Sequence, residues 1–348
     1  MTKTLKITLA AAAAVLVAAT AASAKSNGTT TSNGTTITGA GSTFVAPLVS
    51  TWTPALGSAF GYSLQYSPVG SGAGIAAVTS RQVDFGASDA PLTPDQATAC
   101  KSCVQIPWAL SATTVAYNVP GAPVHLRLSG PVIAKIFLGQ ITSWNDPAIA
   151  ALNPGAKMPS LKITPVYRSD GSGTTYNFTD YLSGVSSDWK KKVGNSTSVN
   201  FPAGIGAKGS SGVAGVVSRT SGAVTYVDVA YAIQNHIRFA AVRNSAGKFL
   251  YPSLRRIVAA ASAFPKVPAN NEMHIVNPSK ANPLAYPIST YTYVIVPQQT
   301  SHAAELRKLI FWALTQGQKS QYTAKLLFAP LPKNVLAASE KTLKTIHP

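Results

Sequence analysis

The sequence predicts an α/β fold, and three observations carry that reading. Short strand-like runs alternate with helix-like ones along most of the chain, as in a sheet flanked by helices. Three times a strand-like run ends in a Gly/Ser/Thr loop that opens a helix. At 348 residues with 46% hydrophobic content, the chain is long enough for two domains or one large one.

Residues 1–24 read as an export signal, set apart from the fold. Lys3 and Lys6 give a positive start, Ile7 to Ala21 an apolar core too short for a membrane span, and Ala22-Ser23-Ala24 a small-residue cleavage pattern. No cysteine follows that would suggest a lipid anchor. Export to a periplasmic or other extracytoplasmic location is therefore expected, with cleavage after about Ala24. Residues 25–35 are polar and without apolar period, a flexible leader.

The fold begins at the strand Thr36-Ile37-Thr38. Gly39-Ala40-Gly41-Ser42-Thr43-Phe44 follows, then a helix through Val45, Leu48, Val49, Trp52 and Leu56. Tyr62 to Tyr66 alternates like a strand and leads through Val69-Gly70-Ser71-Gly72-Ala73-Gly74 into a helical run from Ile75. Val83 to Asp89 is a strand ending in Ser88-Asp89, where Asp89 could equally cap a following helix. Thr113–Asn118 reads as a strand, Pro131–Leu138 and Ala148–Leu152 as helices. The third unit is the richest: strand Ile163–Tyr167, loop Arg168-Ser169-Asp170-Gly171-Ser172-Gly173-Thr174-Thr175, then a helix carrying Phe178, Tyr181 and Leu182. Val213–Val217 is helical, Val224–Val227 a strand, and 253–262 a helix in an otherwise aperiodic region. Tyr286–Val296 is rich in β-formers, and Ala303–Thr315 is an amphipathic helix of the kind that packs into a core.

Each loop taken singly is explained by a capped helix after a Gly-rich turn. Three of one type, one of them with Arg168, point to a shared anion site. Helix N-termini present free N–H groups, hydroxyls add uncharged donors, and the guanidinium fork matches an oxyanion.

Charge fits that reading without proving it. Lys and Arg number 29 against 11 Asp and Glu, a formal +18, or +16 once Lys3 and Lys6 are removed. The basic residues are scattered, with Lys190-Lys191-Lys192 and Arg255-Arg256 the densest runs, so nucleic-acid binding is not expected. A general field favouring anions and a surface suited to an acidic habitat both remain open. The only cysteines, Cys100 and Cys103, read as a small structural disulfide in an exported chain, with a redox pair as the alternative. No second Cys or His pair has zinc-ligand spacing and the five histidines are scattered, so neither metal nor cofactor is expected.

Thr38-Gly39-Ala40-Gly41-Ser42-Thr43-Phe44, Gly70-Ser71-Gly72, Asp84-Phe85-Gly86-Ala87-Ser88-Asp89 and Arg168-Ser169-Asp170-Gly171-Ser172-Gly173-Thr174 occur together in one order. In that order and spacing the chain resembles the phosphate-binding proteins of bacterial phosphate-specific ABC transporters. Ile136-Phe137-Leu138-Gly139, Trp144-Asn145-Asp146 and Gly222–Val227 add to the likeness, which spans roughly residues 36–330. The resemblance implies a two-lobed periplasmic-binding-protein type II fold with the ligand cleft between lobes: 36–116 and 288–348 in lobe I, 117–287 in lobe II. It implies phosphate contacts from Thr43, the Phe44 N–H, Ser71, Asp89, Arg168, Ser172, Gly173 and Thr174, with Asp170 holding the arginine. It also implies a monomer with two partners, inorganic phosphate and a membrane permease, and no catalysis.

One residue supports this independently of the resemblance. An ionised Asp89 offers only acceptors, so it favours an anion that still carries a proton, as hydrogen phosphate does and sulfate at neutral pH does not. The rival readings are a receptor for sulfate or molybdate, and a secreted phosphatase or serine hydrolase using Ser71 or Ser172. A nucleophilic serine needs a base, and no histidine lies near these motifs in sequence.

Overall fold

The computed structural model describes residues 34–348. The export signal and most of the leader lie outside the described residues.

The first stretch runs β1 (Thr36–Gly41), α1 (Ala46–Phe60), β2 (Ser63–Ser67), α2 (Ser71–Thr79), β3 (Phe85–Ser88), α3 (Pro94–Ala99) and the long β4 (Cys103–Tyr117). The middle stretch holds β5 (Arg127–Leu128), α4 (Gly130–Phe137), α5 (Pro147–Ala150), β6 (Thr164–Arg168), α6 (Gly173–Val185), α7 (Ser187–Lys192), β7 (Ile205–Ala207) and α8 (Gly209–Arg219). It continues through β8 (Ala223–Asp228), α9 (Val229–Gln234), β9 (Arg238–Phe239), β10 (Ala241–Arg243), β11 (Phe249–Leu250) and α10 (Leu254–Ser262). The chain then returns through β12 (Ser289–Pro297), α11 (Ala303–Leu314), α12 (Ser320–Thr323) and α13 (Lys333–Leu343).

The main sheet has the order β2-β1-β3-β12-β4-β8-β6-β7, with β9 also on β4; β11-β10-β5 form a small separate sheet. β1 is parallel to β2 and β3, and β6 is parallel to β7 and β8, while β12 and β4 are antiparallel to their neighbours. β4 is buried from Gln105 to Tyr117 and β12 throughout, as expected of central strands covered on both faces. β4 belongs to both ends of the sheet. Its pairing passes from β12 to β8 between Ala112 and Thr113.

Two aromatic nests fill the core on either side of that point. Trp52 packs edge-on to Trp108 at 5.4 Å and to Trp312 at 6.4 Å, with Phe85 against Trp108. Beyond it, Phe178 stacks on Tyr226 at 4.3 Å, and Phe137 meets both rings. Such pairs add about 0.5–1.5 kcal/mol each beyond the area they bury.

Cys100 and Cys103 form the disulfide expected of an exported chain, closing the turn into β4. The Arg81 guanidinium braces this turn, with Nη2 donating to the Cys100 carbonyl at 3.0 Å. Asp89 does not cap the following helix. Thr93 does so, in a reciprocal capping box with Gln96.

Candidate functional site

The strands deliver their loops to one place because parallel neighbours end at the same edge of a sheet. From β1, the chain turns through Ser42, Thr43 and Phe44 into α1. Ser42 Oγ accepts from the Phe44 N–H at 3.0 Å and itself donates to Asp89 Oδ1. The N–H of Phe44, expected to be a ligand donor, is thus engaged by Ser42 here. From β2, Gly70 leads into Ser71 at the first turn of α2. Gly70 has φ +100°, and a Cβ there would lie 2.3 Å from Asp170 Oδ2. Only glycine lets this loop approach the Arg168 loop so closely.

From β6 come Arg168 and the loop to α6. The Arg168 side chain is 2% exposed and holds Asp170 in a two-pronged pair, Nε donating to Oδ1 at 2.7 Å and Nη2 to Oδ2. Asp170 also accepts from the Gly209 N–H at 2.9 Å. Burial alone would raise its pKa, but the arginine and these N–H donors outweigh that and hold it below the usual carboxylate range. Ser172 caps α6, its Oγ accepting from the Thr175 N–H at 3.1 Å, which leaves its own proton to donate elsewhere. Thr174 is 1% exposed, and its Oγ1 has no hydrogen-bond partner among the described residues. A buried hydroxyl is rarely left this way without a ligand or water to satisfy it.

The loops touch one another. The Gly72 N–H donates to the Gly171 carbonyl at 2.9 Å, and the Gly173 N–H to Ser71 Oγ at 3.1 Å. A Cβ on Gly173 would come within 2.6 Å of the Asp89 amide nitrogen. Thr43 Oγ1 lies 2.7 Å from Ser210 Oγ, and Arg168 Nη1 donates to the same Ser210 oxygen at 3.5 Å. Thr43, Phe44, Ser71, Asp89, Arg168, Asp170, Ser172, Gly173 and Thr174 thus belong to one connected cluster.

Asp89 lies at its centre, 2% exposed, accepting from Ser42 and, at 3.2 Å, from Thr292. Burial pushes its carboxyl up to about 6, against the pull of Ser42, the Arg168 charge and Thr292. The cluster contains two carboxylates and one guanidinium, so it is not an electropositive hole. It is a set of directed donors around one buried acceptor.

Sequence reasoning missed four members. Ser42 was passed over for its neighbour Thr43. The N-terminus of α8 supplies the Gly209 N–H and Ser210, and Gly206-Ala207-Lys208-Gly209-Ser210-Ser211-Gly212, running from the end of β7 into α8, is a fourth stretch of the same composition that could have revealed it. Thr292 carries no sequence signal; it reaches Asp89 only because its neighbour Tyr293 pairs with Ser88 in the sheet.

Comparison with known proteins places the chain in a family. A model of the PBP superfamily domain matches residues 20–316. Phosphate-binding protein PstS of Xylella fastidiosa is 40% identical over 308 residues, covering 87% of this chain and 84% of its own. Its namesake from Pasteurella multocida is 37% identical over 315 residues, covering 89% and 90%. A high-affinity periplasmic phosphate-binding protein solved with phosphate bound shares the fold, with a TM-score of 0.69 at 21% identity over 88% of this chain and 93% of that one. The fold is accordingly the two-lobed α/β architecture of those binding proteins, and the chain belongs to the PBP superfamily and, within it, to the PstS family of phosphate-binding proteins.

Proposed function

We propose that this protein binds inorganic phosphate outside the cytoplasm and hands it to an ABC-transporter permease for import. The observation that carries the reading is Asp89, a buried carboxylate among donors. Ionised, it has only acceptors to offer, so it is satisfied by a ligand oxygen that bears a proton. A fully ionised oxyanion there sets acceptor against acceptor, at a cost of about 1–3 kcal/mol. The remaining contacts go to unprotonated oxygens: Arg168, oriented by Asp170; the hydroxyls of Thr43, Ser71, Ser172 and Thr174; and the N–H groups of Phe44 and Gly173. The orphaned Thr174 hydroxyl supports its part in this set. The N–H of Phe44 joins by exchanging its Ser42 partner for ligand.

In this reading residues 36–116 and 288–348 form one lobe and 117–287 the other, and the contacts between the Gly70 and Gly171 loops are those of a closed clamp. Export, with removal of residues 1–24, follows from the same role, and the protein works as a monomer. Catalysis is not part of it. Ser71 Oγ accepts from the N–H groups of Gly173 and Asp89, at 3.1 and 3.4 Å, and no histidine hydrogen-bonds to a site residue among the described residues, so neither serine has an imidazole base.

Calorimetry on ligand-free protein with phosphate, arsenate, sulfate and molybdate tests the proposal. Phosphate and its protonated analogue arsenate should bind, and sulfate and molybdate should not. Preferred binding of sulfate would overturn the reading.

A further inference from the structure

Ser210, at the start of α8, is completely buried and sits where the Thr43 and Arg168 loops meet. Its Oγ lies 2.7 Å from Thr43 Oγ1, and its N–H donates to that same oxygen at 3.2 Å. Arg168 Nη1 donates to Ser210 Oγ at 3.5 Å.

These contacts narrow where the hydroxyl protons can go, and an anion beside Thr43 selects between the two senses that remain. A guanidinium only donates, so Ser210 Oγ is the acceptor from Arg168. Ser210 Oγ keeps a second lone pair, so the short contact to Thr43 has two possible senses, and in the first Ser210 donates. Thr43 Oγ1 accepts twice, from the N–H and the O–H of Ser210, which fills its two lone pairs. Its own proton is left over, and no protein acceptor takes it among the described residues. With the opposite sense, Thr43 would spend its proton on Ser210 and turn a lone pair toward an anion, an arrangement that loses a bond and adds repulsion.

We infer that Ser210 is a positioning residue for anion binding: the donor chain Arg168 to Ser210 to Thr43 makes the Thr43 hydroxyl an obligatory donor to the bound oxyanion. The inference rests on the phosphate reading above and deepens it. Ser210 need not touch the ligand. It acts by removing the alternative in which Thr43 accepts, and by tying the two loops together once the cleft is closed. Losing it therefore lets Thr43 rotate and lets the ligand leave sooner.

The test is a double-mutant cycle on full-length processed protein with inorganic phosphate as probe. Calorimetry gives Kd, stopped-flow release gives the off-rate, and thermal melting monitors the fold. Ser210→Ala should weaken phosphate about tenfold, the effect of losing one well-formed hydrogen bond, chiefly through faster release. Ser210→Cys, equal in bulk and a poor donor, should follow it and serves in its place if the alanine variant does not fold. Thr43→Val should weaken binding by at least as much, and adding Ser210→Ala to Thr43→Val should change Kd by less than about twofold, because the serine acts through the threonine. Kd within twofold of wild type in both Ser210 variants overturns the inference, as does an undiminished effect of Ser210→Ala in the Thr43→Val background. Wild-type protein that fails to bind phosphate overturns the phosphate reading and the inference with it, and is told apart because no substitution is involved.

Discussion

Replacing Asp89 by asparagine isolates the feature on which the proposed ligand choice turns. The amide is nearly the same size. Its oxygen can still accept from Ser42 and Thr292, so the surrounding packing stays satisfied. What changes is the face toward the ligand, where a pure acceptor becomes a group that can also donate. With the carboxylate, an unprotonated oxyanion meets a repulsive, desolvated pair of acceptors costing about 1–3 kcal/mol, or roughly fivefold to 150-fold in affinity. Asp89→Asn should recover most of that factor for sulfate. Phosphate loses an acceptor for its proton but gains a donor, so its affinity should move by less. Competitive calorimetry of phosphate and sulfate on ligand-free protein reads both numbers. An unchanged ratio refutes the reasoning. The same substitution alters the pH dependence of stability. Burial raises the Asp89 carboxyl from its ordinary value to about 6, so its favourable contribution is complete at pH below that ordinary value and is lost as pH rises through about 6. The loss corresponds to about 3 kcal/mol in ligand-free protein. Melting curves across that window should flatten in Asp89→Asn.

Other substitutions probe the walls. Gly70→Ala puts a methyl group 2.3 Å from Asp170 Oδ2 and forces an alanine into the left-handed region, so the cleft should fail to close and phosphate affinity should fall at least about tenfold; affinity within twofold of wild type by calorimetry would remove the closure argument. Asp170→Asn leaves Arg168 with a neutral partner that cannot hold both of its N–H edges, and a loss of about ten- to 100-fold in phosphate affinity is expected, corresponding to a charge-assisted bond. In the unsubstituted protein the Asp170 carboxyl is held below the ordinary range, so the stability it supplies is present above that range and lost only as pH falls through its lowered value; urea titrations in acid check the sign. Replacing Cys100 and Cys103 by serine removes a short cross-link worth about 2 kcal/mol on a chain-entropy estimate, so the urea midpoint should drop while phosphate affinity stays within twofold.

How much of this was legible beforehand differs from element to element, for physical reasons. The three Gly/Ser/Thr loops are plain because glycines and hydroxyls crowded into so short a run are unusual in composition. The fourth, running into α8, was read only from Val213 on, since glycines count against a helix even where they mark its start. The first ten residues of β4 were not read as strand at all. Pro107 stands in the middle of them, and proline speaks against a central strand. The structure accommodates it with an irregularity: Thr292 pairs with Ala109 and Tyr293 with Pro107, leaving Trp108 without a counterpart. Helix α13 was missed because only Val335, Ser339 and Leu343 bury, too thin a stripe to stand out. Asp89 could be noticed in the sequence as an acid in an acid-poor chain. That it serves the cleft and leaves capping to Thr93 follows only from the folded sheet.

The continuity of β4 has a mechanical consequence. A strand stitched to β12 along one length and to β8 along the next is an elastic spine, and strands change twist without breaking their ladders. Opening the clamp need then break no bond along that spine; it releases only the contacts that cross the cleft. The amide protons of Thr114 and Val115 should exchange with solvent equally slowly whether the protein is empty or loaded. Those of Gly72 and Gly173, whose acceptors lie on the facing loop, should exchange quickly once the ligand has gone. The resting angle of the empty clamp is then set by the stiffness of a few peptide units around Ala112.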